Sequence, residues 1–209
     1  MLAKLESCKV VPVCAVQSVD QGLRMAEALT DAGLPIAEIT FRTDAAEATI
    51  KAISERFPDM LVGAGTILNV ADLQRAIEAG AKFAVAPGTN PRVVKAALTA
   101  NFAFYPGVAT PTDVECAMDL GCSILKFFPA GAAGGTAMLK ALCGPYGHTG
   151  IQFVPTGGIS ASNMMEYLAI PQVLAIGGSW MVAGKLMNDN QWDTVKSLAA
   201  EAVKLANQD

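Results

Sequence analysis

The sequence predicts an α/β protein, a (β/α)8 barrel forming a single domain over residues 1–209, on three observations. Eight short apolar runs recur along the chain, roughly 20 to 25 residues apart, the spacing of strand-plus-helix units. The segments between them have helical periodicity and stop at glycine, as at Gly33 and Gly80. No linker or low-complexity stretch breaks the series. Near-continuous apolar strands joined by helical crossovers imply a parallel sheet, and eight such units favour a closed TIM barrel over an open sheet.

The runs follow in order. VVPVCAV at 10 to 16 leads into the helical pattern VDQGLRMAEALTDAG, and IAEITFR at 36 to 42 forms the second strand. LVGAGTI at 61 to 67 precedes NVADLQRAIEAG, a second helical pattern. FAVAPG at 83 to 88, FAFYPGV at 102 to 108 and ILKFFPA at 124 to 130 supply the next three strands. FVPTGG at 153 to 158 and VLAIGG at 173 to 178 complete the eight, and NDNQWDTVKSLAAEAVKLA reads as a final amphipathic helix. With 209 residues the barrel sits near the lower size limit of its architecture, so loops must be short. Active sites of such barrels lie at the carboxyl ends of the strands, which is where chemistry is to be sought.

Composition narrows the function classes. Hydrophobic residues make up 52% and charged residues 16%, yet no apolar stretch is long enough for a membrane span. A start reading MLAKLESCKV lacks the pattern of an export signal, so the cytoplasm is expected. The net charge is -4 with basic residues dispersed, which argues against nucleic acid and anionic membranes as partners. Cys8, Cys14, Cys116, Cys122 and Cys143 form an odd set without a CxxC pair and read as reduced thiols packed as small hydrophobes. One histidine, His148, leaves little scope for a Ser-His-Asp site or a multi-histidine metal site.

Lys126 is the first anomaly, a charge inside an otherwise apolar strand. Alternation places Ile124, Lys126 and Phe128 on one face. Apolar surroundings favour the neutral amine, whose lone pair can attack a carbonyl in the manner of a Schiff-base lysine. A snorkelling lysine, or one paired with a buried carboxylate, is the structural alternative. The second anomaly is Glu38, Thr40 and Arg42 in phase on one strand face, with Glu38 read as proton shuttle and Arg42 as carboxylate clamp. A Glu38–Arg42 ion pair closing the barrel mouth is the alternative there.

Thr66 ends GAGT, where glycines permit close backbone approach and the hydroxyl can reach a carboxylate; a turn with Thr66 or Asn69 capping the next helix is the competing account. Pro87 and Gly88 read first as a rigid turn and second as a pocket wall. The seventh and eighth strands end in PTGGIS, with Gly157 and Gly158, and in IGGSW, with Gly177, Gly178 and Ser179. Glycine pairs at these two strands point to the phosphate cradle of this barrel class, or else to sharp turns without a ligand.

EITFRT, GAGT, LKFFPA, PTGGI and IGGSW stand in this order over roughly residues 10 to 185, and the set resembles the 2-keto-3-deoxy-6-phosphogluconate (KDPG) aldolases, which often also cleave 4-hydroxy-2-oxoglutarate (KHG). The resemblance implies a class I aldolase, a homotrimer without metal or cofactor, in which Lys126 forms the Schiff base and Glu38 moves protons. It implies further that Arg42, Thr66, Pro87 and Phe128 surround the pyruvate portion while Gly157, Gly158, Gly178 and Ser179 hold the phosphate of the 2-oxo acid. Thr156 before the glycine pair looks like the gluconate branch; the galactonate aldolases would be expected to carry an apolar residue there. A sugar-phosphate isomerase or epimerase using Glu38 and Lys126 as acid and base is a rival enzyme, and a non-catalytic phosphosugar-binding barrel is a rival of another class.

Overall fold

The computed structural model describes residues 2 to 207, so residues 1, 208 and 209 of the expected single-domain span lie outside it. Strands and helices alternate almost throughout: α1 (Leu2–Cys8), β1 (Val10–Cys14), α2 (Val19–Asp31), β2 (Ile36–Thr40), α3 (Ala46–Arg56), β3 (Leu61–Gly65) and α4 (Val70–Glu78). They continue with β4 (Phe83–Val85), α5 (Pro91–Thr99), β5 (Phe104–Tyr105), β6 (Gly107–Val108), α6 (Pro111–Asp119), β7 (Ile124–Phe127) and α7 (Gly135–Tyr146). The last elements are β8 (Gln152–Phe153), α8 (Met164–Leu168), β9 (Ile176–Gly178), α9 (Gly184–Asn188) and α10 (Trp192–Ala206). The fold is α/β with parallel sheets: six strands in the order β5-β4-β3-β2-β1-β9, and three in the order β6-β7-β8.

Local chemistry sets the boundaries. Ser18, Asn69, Asn90 and Thr110 each turn a side-chain oxygen onto an amide of the first helical turn, which starts α2, α4, α5 and α6. Gly33, Gly80 and Gly121 take the left-handed conformation just after helices end. The fifth expected strand is split. Pro106, which has no N–H to offer a ladder, separates β5 from β6, while its carbonyl still accepts from the Lys126 amide at 2.9 Å. The other seven runs are each shorter as strands than expected. Beyond β8 the chain touches the β9 segment through isolated bridges, Phe153 with Val173 and Thr156 with Gly177.

The core is continuous from Leu5 in α1 to Ala206 in α10. Strand positions such as Ile36, Ala37, Ile39, Val62, Ala64, Leu125 and Phe127 are fully covered, as parallel strands under helices must be. Each such isoleucine, valine, leucine or phenylalanine side chain contributes about 1.5–3 kcal/mol on burial. No helix among the described residues is long and apolar enough to cross a membrane.

Candidate active site

Among the described residues the buried polar or charged side chains are Glu38, Thr40, Thr49, Lys126 and Thr156. Four of these belong to one region at the carboxyl ends of the strands. Glu38, in the middle of β2, and Lys126, in β7, are 4% and 6% exposed, and the ammonium donates to both carboxylate oxygens at 2.9 and 3.1 Å. The carboxylate partner weighed for Lys126 from sequence is therefore present, and it is Glu38 rather than a separate structural acid. Glu38 does not pair with Arg42. Two charges this far from water are costly unless they are bonded to each other, which is what the two contacts provide.

Neighbouring strands are shaped around this pair. Glu38 is paired in register with Gly63, and Thr40 with Gly65. A side chain at Gly65 would collide with the Glu38 carboxyl group, and one at Gly63 with the Phe83 ring. The two glycines of GAGT thus admit side chains of the site, where sequence reasoning had them admit backbone. The Phe128 ring lies below the ammonium with 5.6 Å from Nζ to its centroid, a cation–π contact. Glu38, Lys126 and Thr156 line one cavity of about 20 Å3 together with Leu5, Val11, Phe83, Val85, Tyr105, Val154 and Gly177. Tyr105 enters it with a buried hydroxyl that has no hydrogen-bond partner among the described residues, and burial pushes this phenol up to about 12. On β1 the Cys14 thiol is also pushed up, first by burial and then by the Glu38 charge.

The remaining expected residues follow the ends of their strands. β2 ends at Thr40, so Arg42 stands in the following turn and not on the strand face shared by Glu38 and Thr40. Its Nε donates to the Thr40 hydroxyl at 3.1 Å, and among the described residues no carboxylate pairs with it. Thr66 follows β3 at φ 61, a left-handed conformation that costs a β-branched residue about 1–3 kcal/mol. Asn69, not Thr66, caps α4, so the Thr66 hydroxyl is not consumed by the helix. Pro87 follows β4, and the backbone of Pro87 and Gly88 passes so close to Gly107 that a side chain there would not fit. Arg42, Thr66, Pro87 and Ser179 make no hydrogen bond to the Lys126–Glu38 pair.

Three loops converge beyond Thr156. Gly157 and Gly158 both have positive φ, 99 and 77, and their N–H groups donate to no acceptor among the described residues. Gly131, after β7, packs on Gly158 and donates to the Gly157 carbonyl at 2.8 Å. The Thr156–Gly177 bridge sets Gly178 beside this turn. Gly177 leaves room for the Thr156 hydroxyl and Gly178 for the Trp180 ring, so the second glycine pair has a packing reason of its own. Ser179 is exposed at the start of the short helical turn Trp180–Val182. Tyr105, Thr40, Gly65 and Gly131 were not singled out as site residues from sequence. Thr40 alone carried a usable signal, as a polar residue in phase with Glu38. No group of three or more His, Cys, Asp or Glu side chains placed to hold a metal occurs among the described residues.

Comparison with known proteins adds independent weight. The family model described as Aldolase: KDPG and KHG aldolase matches residues 1–198. The 2-dehydro-3-deoxy-phosphogluconate aldolase of Haemophilus influenzae is 44% identical over 205 residues, 98% of this chain and 96% of that protein. Two crystal structures are close in shape. One is the KDPG aldolase of Legionella pneumophila with pyruvate captured at low pH as a covalent carbinolamine intermediate, at TM-score 0.91, 35% identity and coverage of 95% of this chain and 96% of that one. The other is the 2-keto-3-deoxy-6-phosphogluconate aldolase of Zymomonas mobilis ZM4 with 3-phosphoglycerate, at TM-score 0.89, 38% identity and coverage of 96% and 93%. With the family model spanning nearly the whole chain and these relatives well above 30% identity, the chain belongs to the KDPG and KHG aldolase family.

Proposed function

We propose that this protein is a class I aldolase that cleaves 2-keto-3-deoxy-6-phosphogluconate to pyruvate and glyceraldehyde 3-phosphate through a Schiff base on Lys126. It acts also on 4-hydroxy-2-oxoglutarate, whose pyruvate half is the same. The observation that carries this reading is the buried Lys126–Glu38 contact at 2.9 Å. A lysine held against a single carboxylate has its proton acceptor already in place. The covalent carbinolamine in the Legionella relative supports the same chemistry.

The steps balance around that pair. Glu38 takes a proton from the Lys126 ammonium, and the freed amine attacks carbon 2 of the 2-oxo acid. A proton passes from the nitrogen of the adduct to its alkoxide to give the carbinolamine, the protonated Glu38 gives its proton to the new hydroxyl, water leaves, and an iminium ion remains with Glu38 again a carboxylate. Glu38 next removes the proton of the hydroxyl at carbon 4. The bond between carbons 3 and 4 breaks, its electrons pass to the iminium, and the aldehyde departs from an enamine. Proton return to carbon 3 and addition of water release pyruvate and restore the ammonium. Arg42 and Thr66 hold the substrate carboxylate, Pro87 and Phe128 wall the pyruvate portion, and the phosphate is taken at Gly157, Gly158, Gly178 and Ser179, with the free N–H groups of Gly157 and Gly158 as its donors. No cofactor enters these steps.

The same proposal extends to architecture. The bridges between the β8 and β9 segments and the chain continuity of β5 with β6 support closure of the two sheets into one (β/α)8 barrel, a single domain. A homotrimer is the assembly implied by the family resemblance. Five free thiols support a reducing, cytoplasmic setting.

Borohydride reduction in the presence of pyruvate, followed by peptide mass mapping, tests the central step. A stable adduct on Lys126 is expected, and an adduct on any other lysine overturns the reading. Pyruvate release from the gluconate substrate, its galactonate epimer and 4-hydroxy-2-oxoglutarate then ranks the substrates. Thr156 at the glycine pair supports the gluconate compound as the better of the two epimers.

A further inference from the structure

Thr40 is 2% exposed at the last position of β2, and its hydroxyl is engaged on both sides. It donates to the Cys14 carbonyl of β1 at 3.0 Å and accepts from Arg42 Nε at 3.1 Å. The direction of this relay is forced. A carbonyl can only accept and a guanidinium can only donate, so the one hydroxyl proton goes to Cys14 and a lone pair faces Arg42. The Arg42 amide closes on the Thr40 carbonyl at 2.8 Å, which fixes the backbone of the turn as well. With Nε tied down, the two terminal nitrogens of the guanidinium keep their donors, and no carboxylate among the described residues takes them.

From this arrangement we infer that Thr40 is the positioning residue of the substrate-carboxylate clamp: it anchors Arg42 to β1 so that a planar, two-donor edge is presented before substrate arrives. The inference rests on the proposed role of Arg42. An arginine in a turn, exposed and untethered, would have to be ordered at each binding event, and that ordering opposes affinity. Thr40 has ordered it in advance. Because Thr40 is two residues from Glu38 on the same strand, the anchor of the clamp and the proton shuttle share one rigid element.

The test compares a ketone that carries a carboxylate with one that does not, reading imine formation on Lys126 by borohydride trapping. For Thr40→Val, which keeps shape and removes the acceptor, half-saturation by pyruvate is expected to rise roughly 5- to 20-fold. Half-saturation by acetone stays unchanged, Thr40→Ser restores the pyruvate value, and in an Arg42→Ala background Thr40→Val has no further effect. Should the valine variant not fold, Thr40→Ala leaves space for a water at the Cys14 carbonyl and gives the same pyruvate-to-acetone ratio. Equal weakening for both ketones would reduce Thr40 to a purely structural residue. An undiminished response to pyruvate in a folded Thr40→Ala protein would overturn the inference, as would a further loss in the Arg42→Ala background. Wild-type protein that traps neither ketone on Lys126 would remove the proposed function itself, a failure visible before any Thr40 variant is made.

Discussion

The Lys126–Glu38 pair and the glycine loop after β8 stand at the same end of the strands, yet they are made in opposite ways. The pair is two ionisable side chains, 6% and 4% exposed, held in the middle of strands and bonded to each other. The loop offers backbone alone, with Gly157 and Gly158 in conformations that other residues adopt only under strain. The first can be changed atom by atom without moving the chain. The second can be changed only by altering the path of the chain. On the proposed reading, chemistry that must shift protons is placed on rigid strands, and recognition of a diffuse anion is left to a turn whose N–H groups donate to no acceptor among the described residues.

The largest expected effect breaks the first half. Glu38→Gln should lower turnover on the order of 10²- to 10⁴-fold while leaving pyruvate binding largely intact; near-normal turnover in steady-state assays would take Glu38 out of proton transfer. Stability gives a second cut at the same pair. Lys126→Met strands a buried carboxylate and should cost about 3–5 kcal/mol in denaturant unfolding, whereas the double variant Glu38→Leu with Lys126→Met should regain most of that loss. No regain would mean that the two charges are not each other's main partner.

A smaller effect sharpens the second half. Gly157→Ala forces a side chain onto φ 99 and should raise KM for the phosphorylated substrate about tenfold, with little change for 4-hydroxy-2-oxoglutarate. Equal losses on both would detach that turn from the phosphate. The smallest effect concerns Tyr105. Its hydroxyl is buried without a partner among the described residues, so Tyr105→Phe should change stability at neutral pH by no more than ~1 kcal/mol, and toward greater stability. The phenol ionises near its ordinary 10 in the unfolded chain and only at about 12 when folded. The unfolded state therefore sheds the proton first, stability falls as pH climbs from 10 to 12, and Tyr105→Phe should flatten that fall. An unchanged slope in pH-dependent unfolding would mean the folded phenol titrates as freely as the unfolded one.

The same contrast explains what could be read from the sequence. Lys126 and Glu38 were legible because a charge in an apolar strand violates local expectation. Their direct contact was not, since 88 positions separate them and no periodicity measures distance across a core. Arg42 was read in phase with Glu38, but β2 stops two residues earlier, where the chain turns on Thr40 and the phase is lost. The glycines of GAGT and IGGSW were visible as glycines, while the reasons for Gly63, Gly65 and Gly178 lie in rings and carboxylates arriving from elsewhere. The split at Pro106 was foreseeable from a residue without an N–H. Helix α1 was not anticipated at all, because seven residues carry too little pattern to declare themselves.

That overlooked helix bears on the depth of the site. Leu5 of α1 is 3% exposed and lines the cavity that holds Lys126 and Glu38, so the space at the pair has a plugged floor. What enters deepest must wait for whatever sits above it to go. In the proposed mechanism the enamine keeps pyruvate bound to Lys126 while the aldehyde leaves, and a floor closed by Leu5 agrees with that queue, aldehyde first and pyruvate last. Product inhibition should record that queue as a competitive pattern for pyruvate and a noncompetitive one for the aldehyde phosphate.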